Sequence, residues 1–274
     1  MLPPKPGVTK LVRSFWAGAR DIHDGLAAWR LWYLIGSAEM RRRYARSKLG
    51  PLWVMVSSGI LIATLGFMWS VLWRQPLAEM LPYVGIGLIT WQLISGVLSD
   101  ATTAFPTNSH YFLNQYLAAS SIIFSLIYRN GIIFLMNILF PMLIVLCVGE
   151  PLTAYSLLAI PGFVLLAVTC FWSAFVTAIL CARFRDVSQI VISILQVAMY
   201  ITPVVWKPEQ LPGASRLLFY LNPFSVGVTV FRDPLLGRTV PLEMWALAIV
   251  LAFVGLLLSL PFIGRYRRRL IYWL

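Results

Sequence analysis

Six long apolar runs, and the basic residues gathered around them, constrain this chain more than any other feature. The runs cover about 52–73, 80–99, 118–148, 154–182, 187–206 and 244–263. A helix needs about 20 apolar residues to cross a hydrocarbon core roughly 30 Å thick, and each run meets that length. Of 22 Lys and Arg, ten lie between Lys5 and Lys48, two (Arg183 and Arg185) separate the fourth and fifth runs, and Arg265, Arg267, Arg268 and Arg269 follow the sixth. Cytoplasmic flanks collect Lys and Arg, and six crossings bring all three clusters to one side. The expected fold is an all-α polytopic membrane protein with both termini cytoplasmic. It divides into a cytoplasmic segment at 1–50, a transmembrane domain at 51–264 and a basic tail at 265–274.

Composition narrows the function classes. The chain is 59% hydrophobic and only 12% charged, with a mean hydropathy of +0.80, far from an ordinary soluble domain. Its net charge of +12 flanks apolar spans, where orientation and anionic headgroups account for it without nucleic acid. Cys147, Cys170 and Cys181 have no metal-ligand spacing and read as packing residues. The first 50 residues are basic and lack an isolated apolar core, so no cleavable leader is expected.

Two segments fit neither span nor ordinary loop. Residues 25–46 carry Trp29, Trp32, Tyr33, Met40 and Tyr44, interrupted by Arg30, Glu39 and Arg41–Arg43. The pattern predicts a helix lying along the cytoplasmic interface, either as an anchor or as a docking element. Residues 207–241 hold Pro208, Pro212, Pro223 and Pro234, yet 217–230 is apolar. Short re-entrant helices on the outer side fit this pattern, since broken backbone at membrane depth must be buried in protein or line a cavity. The alternative is an outer loop with a few apolar contacts.

No catalytic constellation is legible. The two histidines, His23 and His110, lie outside the runs and the ten acids are scattered, without paired carboxylates for acid–base work. No glycine precedes a lysine, so the phosphate-cradling loop of ATP-binding proteins is absent. Any ATP that drives this chain is hydrolysed on another polypeptide. Within the runs, Gln189, Ser193, Gln196 and Tyr200 recur on one helical face, as do Thr169, Ser173 and Thr177. Such stripes line a wet pathway or tie helices together. Gly59, Ala63, Gly66 and Ser70 form a small-residue stripe suited to close helix approach. Arg129 lies about three turns into the third run, where a charge is costly. It must face a cavity, meet a partner such as Asn130 or a backbone carbonyl, or snorkel to the surface.

Several stretches resemble the ABC-2-type permeases that export polysaccharides such as O-antigen, capsule or teichoic acid. They are Arg43-Tyr44-Ala45-Arg46-Ser47-Lys48-Leu49-Gly50-Pro51-Leu52-Trp53, then Pro82, Tyr83, Gly87 and Trp91, then Arg129-Asn130 with Ile133, Phe134 and Asn137. Phe184-Arg185-Asp186, Thr202-Pro203-Val204 and Asn222-Pro223 follow in the same order. One departure lies in the loop after the second run, where many relatives carry Lys and an aromatic-Pro pair. Here it reads Phe105 to Tyr116 and keeps room for a short coupling helix from Asn108.

The resemblance implies a homodimer in the bacterial inner membrane with two copies of a separate ATPase, which carries the ATP and Mg; no cofactor is expected on this chain. It implies a lipid-linked or lipid-anchored polysaccharide as cargo. Asn108, Tyr111 and Phe112 are then candidates for coupling to the ATPase, and Arg129 for meeting the substrate phosphate. The pathway is expected along the dimer interface, lined by the first, second and fifth helices. Gln189, Ser193, Gln196 and Tyr200 would supply hydrogen bonds there, and Tyr83 and Trp91 flat faces for sliding. Rival readings are a membrane enzyme or a secondary transporter for lipid-linked sugars. The first lacks clustered acids or histidines. The second lacks an internal repeat and further charges inside the spans.

Overall fold

A computed structural model describes residues 6–45, 50, 52–114, 117–149, 153–210 and 216–273. All secondary structure among them is helical. Helices α1 (Pro6–Ala27) and α2 (Trp29–Tyr44) precede α3 (Leu52–Trp73) and α4 (Leu77–Ala101). Two short helices, α5 (Ala104–Thr107) and α6 (Ser109–Asn114), lead to α7 (Ala119–Val148). After a 3-10 turn come α8 (Ala159–Arg183) and α9 (Asp186–Ile201), then α10 (Arg216–Leu221), α11 (Pro223–Leu235), α12 (Leu242–Tyr266) and α13 (Leu270–Trp273).

Among the described residues, five helices are long and apolar enough to cross a membrane: α3, α4, α7, α8 with its preceding 3-10 turn, and α12. The fifth run is the exception. Its helix, α9, stops at Ile201, five residues before the expected end, because Pro203 cannot extend it. Its 16 residues span about 24 Å at 1.5 Å each, short of the roughly 30 Å core. The remainder, Thr202–Trp206, turns inward, with Thr202 to Val205 buried.

At the centre stands α4, with every residue from Pro82 to Trp91 buried. It packs against α3, α7, α8, α9 and α11. Expected from sequence to line a pathway, this helix leaves only Gln92, Ser95, Gly96 and its two ends partly open. The core is finished by stacked aromatics: Phe124 on Phe171 at 4.6 Å and Phe134 on Phe163 at 5.2 Å. Gly59 rests on Phe140 of α7 and Gly66 on Leu81 of α4, whereas Ala63 is exposed. The small-residue stripe thus serves packing within the chain at two of its four positions.

The amino-terminal region holds two helices where the sequence suggested one. The added helix, α1, runs along α12 and also meets α7. Gly18 and Gly264 make this possible, because a Cβ at Gly264 would collide with the Ser14 carbonyl and one at Gly18 with that of Leu260. Its outward face mixes apolar Leu11, Val12 and Trp16 with Arg13 and Arg20, the composition of an interfacial helix. The carboxyl terminus is likewise built in: Leu270 is fully buried, and Arg183 lies over the Trp273 ring at 5.5 Å.

Candidate functional site

Two polar hubs sit at opposite ends of α4, and both are assembled from residues far apart in sequence. At one end, α2 crosses the first half of α7. Trp32 packs on Phe124 and Tyr128, and Tyr33 meets Tyr128 edge-on at 5.3 Å. Gly36 permits the crossing, since a Cβ there would come within 2.8 Å of the Tyr128 ring. One turn further along α2, Glu39 reaches Arg129 of α7 and pairs with its Nη1. Nη2 of Arg129 donates to Asp100 Oδ2 at 2.6 Å, in the last turn of α4, and Asn130 Nδ2 donates to the same oxygen at 2.8 Å. One guanidinium thus joins three helices, with its side chain 16% exposed.

This answers the question the sequence left open for Arg129. Its partners are Glu39 and Asp100, rather than Asn130 or a carbonyl, and Asn130 serves the same carboxylate from the next position. The group faces a cavity of about 260 Å³ lined by Glu39, Arg42, Asp100, Asn108, Ser125 and Arg129 among others. Two carboxylates balance the two arginines there, so the cavity is not an anion trap.

The chain leaves α4 directly into α5 and α6, the segment predicted to couple to an ATPase. Asn108 does not present itself outward. It is buried, and its Nδ2 donates to the Ala104 carbonyl at 3.0 Å, bracing the bend between α5 and α6. A contact role for Asn108 is therefore replaced by a positioning one. Tyr111 is half-buried and packs at a tilt of 39° against exposed His110, with ring centroids 4.0 Å apart. Phe112 belongs to α6, but its side chain, like all of Gln115 and Tyr116, lies outside the described residues.

A second anchor on this side was not anticipated. Asp21 of α1 is buried and accepts from the backbone N–H of Ser120 at 3.0 Å and of Ala119 at 3.4 Å. Those amides are unpaired donors at the positive end of α7. Arg267 completes the group, with Nη1 3.1 Å from Asp21 Oδ2.

At the far end of α4, three of the sequence signatures converge on a residue none of them includes. Arg232 of α11 is 1% exposed. Its guanidinium lies 3.8 Å from the centre of the Tyr83 ring, its Nε donates to Asp233 at 2.8 Å and its Nη1 to the Pro203 carbonyl. The Tyr83 hydroxyl donates to the Trp206 carbonyl at 3.0 Å. Asn222 caps α11, accepting from Phe224 N and donating to Thr202 Oγ1 at 2.9 Å. Lys207 bonds Glu79 at 3.2 Å and Gln75 at 3.3 Å beside this hub. The broken backbone at 202–205 is buried, and α11 is set among α4, α8 and α12 rather than left as an open loop.

The remaining pathway candidates separate cleanly. Gln189, Ser193, Gln196 and Tyr200 are all exposed along one face of α9, Tyr200 at 77%. Tyr83 and Trp91, at 1% and 4% exposure, offer no face to a sliding polymer. Arg232 covers one, and Phe224 packs edge-on against the other at 5.5 Å.

A family model described as "ABC-2 type transporter" matches residues 30–236. The chain belongs to the ABC-2 type transporter family. It is therefore a transporter permease with a multi-pass membrane fold, and the family implies an ATPase partner. It is similar to an O-antigen export system permease protein, RfbA, of Klebsiella pneumoniae, at 22% identity over 81% of this chain and 88% of the relative. A Myxococcus xanthus protein of the same description is 23% identical over 84% of this chain and 89% of its own length. The match begins at Arg30, inside α2, and ends at Leu236, just past α11, so it takes in both hubs.

Proposed function

We propose that this permease forms a homodimer in the bacterial inner membrane, binds two copies of a separate ATPase, and exports a lipid-linked polysaccharide. Both termini lie in the cytoplasm, with α9 and the turn 202–206 together making the fifth of six crossings. The observation that carries the mechanism is α4 itself. One end continues into the α5–α6 coupling segment and is tied through Asp100 to Arg129 and α2. The other holds the re-entrant segment through Tyr83 and Arg232. The 17-residue step from Tyr83 to Asp100 puts these hubs about 26 Å apart along a rigid, buried helix.

A push from the ATPase on α6 then reaches the outer gate as a rigid-body movement of α4, with the two hubs as its joints. The polymer passes along the exposed polar stripe of α9, facing the partner protomer. There, amides and hydroxyls exchange hydrogen bonds with sugar hydroxyls without holding any one of them tightly. Arg129 acts as a joint of the machine, and binding of the substrate phosphate requires it to leave Glu39 or Asp100.

The direct test is deletion of the chain in its host. The expected phenotype is lipid-linked polysaccharide accumulating on the cytoplasmic face, reversed by a plasmid copy. Unchanged surface polysaccharide in the deletion strain would overturn the assignment of cargo.

A further inference from the structure

Behind α9, on the side away from its polar stripe, lies a cavity of about 370 Å³ enclosed by α4, α8, α9, α11 and α12. Its wall includes Leu166, Thr169, Ser173, Ile194, Val226 and Ala248. The Thr169 and Ser173 hydroxyls donate to the carbonyls of Leu165 and Thr169 on their own helix. The Trp172 indole N–H donates to the Leu251 carbonyl. With these groups committed, the wall offers few partners to water, which needs two to four.

Interiors are packed to crystal-like density and keep few large voids. This cavity is also the main thing behind α9, whose only buried residues are Leu195 and Ala198. Ile194 belongs both to the wall and to the exposed surface, which puts the mouth beside α9, where hydrocarbon is the surrounding medium.

We propose that one acyl chain of a bilayer phospholipid occupies this cavity and completes the packing of α9 against the body of the permease. An engineered core cavity of ~150 Å³ takes a benzene ring, so this volume takes roughly fifteen carbons, close to a full acyl tail. The Thr169–Ser173 stripe therefore faces lipid through its carbon atoms. The inference needs only the membrane-spanning fold and holds whatever the cargo is.

The test uses the full-length permease in nanodiscs that contain a phospholipid with a photoreactive diazirine near the end of one acyl chain. The expected result is labelling of buried wall residues such as Leu166 and Val230, which no lipid outside the cavity can reach. Ser173→Leu and Ala248→Leu, which fill the space from two different helices, should each abolish that labelling. Labelling of Phe253 on the exposed face of α12 should persist in both, reporting an intact fold. Labelling confined to exposed residues would overturn the proposal. So would labelling of the wall by an isoprenoid probe but never by the phospholipid, or wall labelling that survives in whichever of the two variants retains the Phe253 signal.

Discussion

Replacing Arg129 probes the Glu39–Arg129–Asp100 hub most sharply. Arg129→Met leaves Glu39 and Asp100 facing each other across a partly buried cavity with their shared cation removed. Breaking a buried pair by deleting one partner costs about 3 kcal/mol or more, which corresponds to a fall in Tm of roughly 6–12 °C for a chain of this size. Arg129→Lys retains the charge but can serve only one carboxylate, because lysine lacks the planar fork. It should lose about 1.5–3 kcal/mol, the value of one charge-assisted hydrogen bond. The informative variant is the triple change Arg129→Met, Glu39→Gln, Asp100→Asn. Neutralising all three removes the uncompensated charge, so most of the Tm should return while export stays impaired, because the link between α2 and α4 is gone. Tm is read by thermal shift in detergent and export by surface polysaccharide. A triple variant that exports normally would refute the joint, and an Arg129→Met protein as stable as the parent would refute the ion pairs themselves.

Other consequences can be checked singly. Tyr111→Arg, at the half-buried position of α6 beside exposed His110, should leave the permease in the membrane and abolish stimulation of the partner ATPase; normal export with normal stimulation would remove α6 from the coupling route. Ser193→Cys should tolerate the substitution and lose export on reaction with a bulky maleimide, whereas unaffected export would place the polymer elsewhere. Asp21→Ala removes the acceptor at the start of α7 and the partner of Arg267. It should cost about 1–2 kcal/mol, seen as a lower Tm, with Arg267→Ala giving part of the same loss. Gly36→Leu should lift α2 from Tyr128 and weaken the Glu39–Arg129 pair, giving a loss that Arg129→Met does not add to.

Span positions were readable because a 20-residue apolar run leaves few alternatives: α3 begins and ends as expected, and α7 differs by one residue at its start. The fifth run misled because Thr202 to Trp206 is as apolar as a span, and only Pro203 marks the change from crossing to buried turn. Helix α1 was missed because Arg13, Arg20, Asp21 and Asp24, although they lie on the opposite face from its apolar stripe, break up the run along the chain, which hides an amphipathic period from a search for charge-free stretches. The hubs escaped for another reason. Arg129 was visible as a charge at depth, but Glu39 and Asp100 each look like an isolated acid until the helices are packed together. Arg232 carried a similar signal, a cation two residues past the apolar stretch 217–230, and its closeness to that stretch could have marked it. Tyr83 and Trp91 show the opposite error: an aromatic in a span reads equally as lining or as core, and only packing against Arg232 and Phe224 decides.

The central claim is that α4 carries movement from the coupling segment to the outer gate. Its most direct measurement is the distance between spin labels placed at exposed Glu209 on the two protomers, in the reconstituted permease–ATPase complex, with and without ATP and vanadate. A parallel pair at exposed His110 reports the end that carries the coupling segment. The account predicts a nucleotide-dependent change at both positions in the parent protein. In Arg232→Gln the change at His110 should remain and the change at Glu209 should vanish. A Glu209 distance that never responds to nucleotide, or one that responds equally in Arg232→Gln, would contradict it.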